Sequence, residues 1–373
     1  MHIRPFGVEQ WMNEYENHCD YNLAETCVAS LTIDELLTFA GKSDVLLDEL
    51  GPMKLTYGAI EGSDRLRGAI AGLYRNQAID NIVVTHGAIG ANALVYQTLV
   101  EPGDHAISVL PTYQQHYSIP EALGSEVDIL QLRPENRFLP DLEELQQLIR
   151  GNTRLVAINN PNNPTGALMD EDFLFRLVDI ARAADAWVVC DEVYRGTDQQ
   201  GGGSTVSIAD LYDKGISTGS MSKAFALAGL RLGWIAAPSE HIHAVSLHRD
   251  YNTISVGMVD DYLACLALES ADAILARSRD MTRRNLAVLA DWVENEPRID
   301  WVKPASGTTA LLRYDADLSS RDFCVQLLEA TGVMLTPGSA LDIEGWVRMG
   351  YANDTNILRA GLERLSGFLA ELP

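Results

Sequence analysis

The chain has 373 residues, enough to bury a large core without disulfides, and its 47% hydrophobic and 21% charged shares are those of an ordinary globular protein. A formal net charge of −24 argues against nucleic acid or an anionic membrane as the main partner, because both require a basic footprint. Five scattered cysteines (Cys19, Cys27, Cys190, Cys265, Cys324), with no C-x-x-C pair, read as free thiols of a reducing compartment, and no metal site is expected.

The N-terminus shows no basic stretch leading into an apolar run, and no run is long enough to span a bilayer, so the expected location is the cytoplasm. The first forty or so residues stand outside the pattern that follows; they include an expected helix over 32–39. From residue 81 short apolar segments alternate with amphipathic ones. Strands are expected at 81–85, 105–110, 126–130, 153–158, 186–190, 215–218 and 232–236. Helices are expected at 88–99, 141–149 and 170–184. This alternation predicts an α/β fold whose mainly parallel central sheet is sandwiched by helices, with ligands beyond the carboxyl ends of its strands. After Ser255 the pattern changes to two long helices, 256–269 and 271–294, then short mixed elements from Trp301. The expected organisation is a large domain over 45–255 and a smaller α+β domain built from 1–44 and 256–373.

Four segments place polar side chains just after predicted strands. Gly219-Ser220-Met221-Ser222-Lys223, with Arg231 eight residues on, combines two hydroxyls and a guanidinium near one amine. Such donors suit a phosphate monoester, and a deprotonated lysine could act as a nucleophile; a solvated helix face would carry the same residues. Asp191-Glu192-Val193-Tyr194 sets a carboxylate where it could keep a heteroaromatic nitrogen protonated, with Tyr194 placed for an oxygen on the same ring. A helix N-cap is the plainer reading of Asp191. A magnesium-binding aspartate would need a G-x-x-x-x-G-K-[ST] loop, and the chain has none. Asn159 to Gly166, with two prolines, reads as a turn or as a stiff loop that aims an Asn amide at a ligand. Thr85 to Gly90 opens a helix with small residues and could offer backbone N–H groups to an anion.

Taken in order, N-N-P-T-G, D-E-V-Y and S-M-S-K followed by G-L-R-L-G-W resemble the class I/II aminotransferases of pyridoxal 5'-phosphate (PLP) fold type I. The segments around Tyr57, Pro111-Thr112-Tyr113, Pro337-Gly338-Ser339 and Val347-Arg348-Met349 match as well, so the resemblance covers roughly residues 50–365. It implies a large domain plus a smaller α+β domain, and PLP as cofactor. Lys223 is implied as the Schiff-base lysine and Asp191 as partner of the pyridine nitrogen. Asn163 and Tyr194 are implied as donors to the ring oxygen, and Tyr113 as the stacking aromatic. Gly87, Ala88, Ser220, Ser222 and Arg231 form the implied phosphate cup. Arg348 is the implied grip on the substrate α-carboxylate, and Tyr57 reaches the neighbouring subunit's site in an implied homodimer. An amino acid and a 2-oxo acid are the implied small-molecule substrates.

The stretch Tyr21 to Val28 departs from the family, where a glycine-containing loop closes over the substrate; here it has no glycine, and Glu25 or Thr26 is expected to face the substrate. A basic side chain such as arginine's would suit Glu25. Val8-Glu9-Gln10-Trp11, Leu132 to Asn136 and His248 to Tyr251 are also similar to segments of capreomycidine synthase, a PLP enzyme that eliminates and cyclises. Two reactions therefore follow from the resemblance: transamination, or a lyase or cyclase reaction at the β or γ carbon. A cofactor-sensing regulator of the same fold would need a basic DNA-binding module, which this acidic chain lacks.

Overall fold

Apolar runs rich in Val and Ile between residues 82 and 236 pair into one seven-stranded sheet, seen in a computed structural model that describes residues 2–43 and 46–373. The domain boundary expected at 44/45 lies outside the described residues. The strands are β1 (Ile82–Thr85), β2 (His105–Leu110), β3 (Glu126–Gln131), β4 (Thr153–Asn159), β5 (Trp187–Asp191), β6 (Gly215–Ser220) and β7 (Gly233–Ala236). Their order across the sheet is β1-β7-β6-β5-β4-β2-β3. All neighbours are parallel except β7, which runs antiparallel to both β1 and β6. Helices cover both faces, so the central strands are buried throughout and read as continuous apolar runs rather than alternating ones.

The expected strands and helices all form, with ends moved by one or two residues. One difference has a plain cause: β5 starts at Trp187 and extends to Asp191, because Asp191 itself pairs with Thr218 and Asn159. The antiparallel β7 matters for function. Running backwards, it brings its N-terminal end, and Arg231 just before it, to the edge where the parallel strands end.

Two helices serve that edge, α2 (Gly87–Leu99) after β1 and α3 (Gln115–Leu123) after β2. A second, four-stranded antiparallel sheet joins β8 (Ile299–Trp301), β9 (Thr309–Tyr314), β10 (Thr336–Pro337) and β11 (Trp346–Gly350) in the order β10-β11-β9-β8. The N-terminal segment divides between two apolar clusters. Trp11, Leu23 and Ala24 pack with the second sheet, while Val28, Leu31, Leu36 and Leu37 pack with Met221, Phe225 and Ile82 of the central-sheet region. Two long helices, α4 (Met258–Glu269) and α5 (Ala271–Asn295), follow the central sheet. The core changes over inside α5: Ile274 belongs to the cluster around the central sheet, Leu286, Leu289 and Val293 to that of the second. No described helix is long and apolar enough to cross a bilayer.

Candidate active site

Side chains from the strand ends, from the 219–231 segment and from the N-terminal segment converge on a cavity of about 330 Å³. The register of β4, β5 and β6 sets Asn159, Asp191 and Thr218 side by side, and the first two line the cavity. Asp191 is buried. Its Oδ2 accepts from Asn92 Nδ2 at 3.0 Å and its Oδ1 from the Val193 backbone N–H at 3.2 Å. Asn92 accepts in turn from Thr218 Oγ1 at 2.7 Å. His116 stands behind, with Nε2 3.7 Å from Asp191 Oδ2 and Nδ1 2.6 Å from the Tyr96 hydroxyl; Nε2 has no hydrogen-bond partner. Sequence reading missed Asn92 and His116. Asn92 had a signal, for it lies four residues after Ala88 and so on the same face of α2.

The cradle between α2 and β7 depends on bare backbone. Gly87 has φ +67°, a conformation natural to glycine, and a Cβ there would stand 3.1 Å from Arg231 Nη2. A Cβ on Gly233 would collide with the backbone of Gly87 and Ala88. With neither present, Arg231 approaches the first turn of α2, where unpaired backbone N–H groups collect. Ala88, Ser220, Ser222 and Arg231 line the cavity, while Gly87 shapes it from behind. A guanidinium, two hydroxyls and a helix N-terminus form a donor set fit for a phosphate dianion.

Lys223 Nζ donates to Thr26 Oγ1 at 2.6 Å and lies 3.4 Å from Cys27 Sγ. Burial opposes its charge, but the Cys27, Tyr194 and Glu25 groups more than offset that, and the amine is held above its ordinary value. Burial pushes the Cys27 thiol up to about 11. Tyr194 is buried beside Lys223 and Arg348, its phenol raised by burial. Asn163 accepts at Oδ1 from Arg348 Nη1 at 3.3 Å. Arg348, only 2% exposed, also donates from Nη2 to Ala24 O and Thr336 Oγ1, each at 3.1 Å, and its Nε has no partner. A buried guanidinium with an unsatisfied N–H is arranged for an incoming acceptor.

The N-terminal segment closes the cavity. Tyr113, expected to stack on the cofactor ring, lines the cavity and donates to Glu9 Oε1 at 2.9 Å. Glu25 lines it too, but its Oε1 turns back to the N–H groups of Thr26 and Cys27 at 2.8 and 2.9 Å. Thr26, expected to face the substrate, spends its hydroxyl on Lys223. Tyr57 is 75% exposed and does not line the cavity of its own chain. Glu9, Met12 and Glu16 line the cavity, and sequence reading missed them as site residues. Among the described residues no cluster of three or more His, Cys, Asp or Glu is placed to hold a metal ion.

The family described as aminotransferase class I and II matches residues 36–365. The chain is 30% identical to the capreomycidine synthase of Streptomyces vinaceus over 362 residues, covering 96% of this chain and 92% of that protein. A PLP-dependent aminotransferase of Streptococcus suis superposes with TM-score 0.97 at 43% identity, covering 100% of this chain and 99% of that one. A PLP-dependent cyclase superposes with TM-score 0.92 at 27% identity, covering 100% and 98%. Family and neighbours imply PLP; the donor set around Arg231 fits its phosphate, and the accepting carboxylate of Asp191 fits its protonated ring nitrogen.

Proposed function

The chain belongs to the class I and II aminotransferases, a PLP-dependent fold type I family, and on that premise we propose that it moves an amino group between an amino acid and a 2-oxo acid. The observation that carries the reading is the convergence of Lys223, Asp191 and Arg348 on one cavity. When bound, the cofactor supplies an aldehyde carbon for the amine and a protonated ring that absorbs the charge left on the substrate carbon. Lys223 would hold the cofactor through its amine and would move the proton at the substrate carbon as base and acid. Its hydrogen bond to Thr26 fixes where Nζ waits. Asp191, oriented by Asn92 and Val193, keeps the ring nitrogen protonated. Asn163 and Tyr194 serve the ring oxygen, Tyr113 the ring face, and Gly87, Ala88, Ser220, Ser222 and Arg231 the phosphate. Arg348 takes the substrate carboxylate bidentately and so orients the bond that breaks.

A lyase or cyclase reaction at the β or γ carbon is the second reading. The glycine-free loop at 21–28, with Thr26 and Cys27 on Lys223, and the similarity to a PLP-dependent cyclase favour it. Product counting separates the two. With an amino acid alone, a transaminase forms one equivalent of 2-oxo acid per site and stops until a 2-oxo acid acceptor is added. An eliminating or cyclising enzyme continues without an acceptor, and continued turnover would overturn the first reading.

Cytoplasmic location fits the free thiols. We further take the working unit to be a homodimer in which Tyr57 serves the neighbouring site, each chain comprising a large domain over 45–255 and a small one from 1–44 and 256–373.

A further inference from the structure

We propose that the cavity selects an amino acid with a cationic side chain, held by Glu9, Glu16 and Glu25; this rests on the functional reading above and adds the substrate class. The helix α1 (Gly7–Tyr15) carries Glu9 and Met12, and Glu16 follows it in a 3-10 turn. Positions 9, 12 and 16 recur at helical spacing and so share a face, and all three line the cavity. The other side of α1 is anchored by Trp11, which is buried and whose Nε1 donates to Leu335 O at 2.8 Å.

A count of charges identifies what is missing. The basic residues lining the cavity are Lys223, Arg231 and Arg348. The cofactor phosphate answers Arg231, the ring nitrogen answers Asp191, and the substrate carboxylate answers Arg348. Lys223 is consumed in covalent work. Glu9, Glu16 and Glu25 remain, and none forms an ion pair among the described residues, whereas Glu14 on the outer side of α1 pairs with Arg321 at 2.9 Å. Two of them have local neutral partners: the Tyr113 hydroxyl donates to Glu9, and the Thr26 and Cys27 backbone N–H groups donate to Glu25. Burial and then the neighbouring Glu25 and Glu9 raise Glu16, so its carboxylate adds to the negative charge of the other two in one cavity. Uncompensated like charges in a partly enclosed site are costly, and a cation relieves that cost.

A second observation points to the same ligand. Arg348, 2% exposed and lining this cavity, keeps Nε unpartnered. The cavity thus offers a carboxylate grip and, on α1 and the 25–27 loop, a cation grip. Met12 and Val8 line the same cavity and offer apolar surface against which a polymethylene stem would pack. An acidic side chain would meet three carboxylates and no free cation of this chain.

The test compares L-arginine with its neutral isostere L-citrulline on the PLP-loaded enzyme. Steady-state turnover is read beside calorimetric binding to Lys223→Ala. Wild type is expected to favour arginine at least tenfold in kcat/KM and in affinity. In Glu9→Gln, Glu16→Gln and Glu25→Gln the arginine-to-citrulline ratio should fall severalfold each, and Glu16→Lys should reverse it. Glu16 is exposed, so its variants fold and keep the test decisive. Equal use of the two, or a ratio insensitive to the three substitutions, overturns the cationic-substrate proposal while neutral turnover preserves the enzyme reading. If no amino acid binds or reacts, the enzyme reading itself falls, and the proposal with it.

Discussion

At the residue scale the chemistry turns on how Lys223 is held. Burial works against its charge, but the groups around it, Glu25 among them, more than offset that and raise the amine, which on the proposed function must lose a proton to attack an aldehyde. Reconstitution of the apoenzyme with PLP should therefore accelerate as pH rises from 7 to 9, followed by cofactor absorbance. Glu25 is the anion among these groups that is ionised at neutral pH: burial works against its charge, but Lys223 and the hydrogen bonds from Thr26 and Cys27 prevail and lower it. Removing a negative neighbour lowers a lysine's pKa, so Glu25→Gln should move the reconstitution profile to lower pH. A profile that stays in place would show that the two groups are not coupled. Asp191 depends on its own neighbours in the same way. Asp191→Ala should cost roughly a hundredfold or more in kcat, the scale of losing one preorganised electrostatic contact. Asn92→Ala should cost less, because Asp191 keeps the Val193 N–H.

At the element scale, α1 is a short helix whose largest buried anchor is Trp11. Trp11 is 1% exposed and packs in the cluster of the second sheet. Trp11→Ala should cost about 3–5 kcal/mol of unfolding free energy, the usual range for a large buried aromatic. Trp11→Phe should cost less, keeping much of the packing but losing the bond to Leu335. Denaturant titration measures both. The loop after α1 is similarly fixed: Gly350 N–H donates to Leu23 O at 2.7 Å, and a Cβ on Gly350 would collide with Glu25 O. Gly350→Ala should therefore shift Glu25 and Thr26 and, through the Thr26 bond to Lys223, slow turnover.

At the scale of the whole molecule, α5 links the two apolar clusters, and the 21–28 segment runs between them. Leu23 is bonded to the β11 side, while Leu31 N–H donates to Ala226 O beside Lys223. Side chains from both sheets thus reach one cavity. Leu55, Tyr57 and Tyr251 are 82%, 75% and 97% accessible, apolar surface that a second chain would cover in the proposed homodimer. Sedimentation should give twice the chain mass, and Tyr57→Phe should weaken PLP retention; a monomer with full activity would refute the shared site.

Much of this was legible beforehand because it is local. Lys223 and Asn163 follow a strand end within a few residues, Asp191 ends its strand and Arg231 stands just before the next, so apolar runs and the polar residues at their ends mark them in the chain itself, and the strand–helix alternation predicts the sheet. What sequence alone could not decide is which distant segments meet. Asn92 and His116 join Asp191 only because α2 and α3 pack over the same sheet edge. Glu9 and Glu16 face the cavity only because Trp11 docks α1 on the second sheet. Thr26 serves Lys223 because its loop is pinned between the two sheets. Such encounters are made by packing over long stretches of chain, and no pattern of neighbouring residues encodes them.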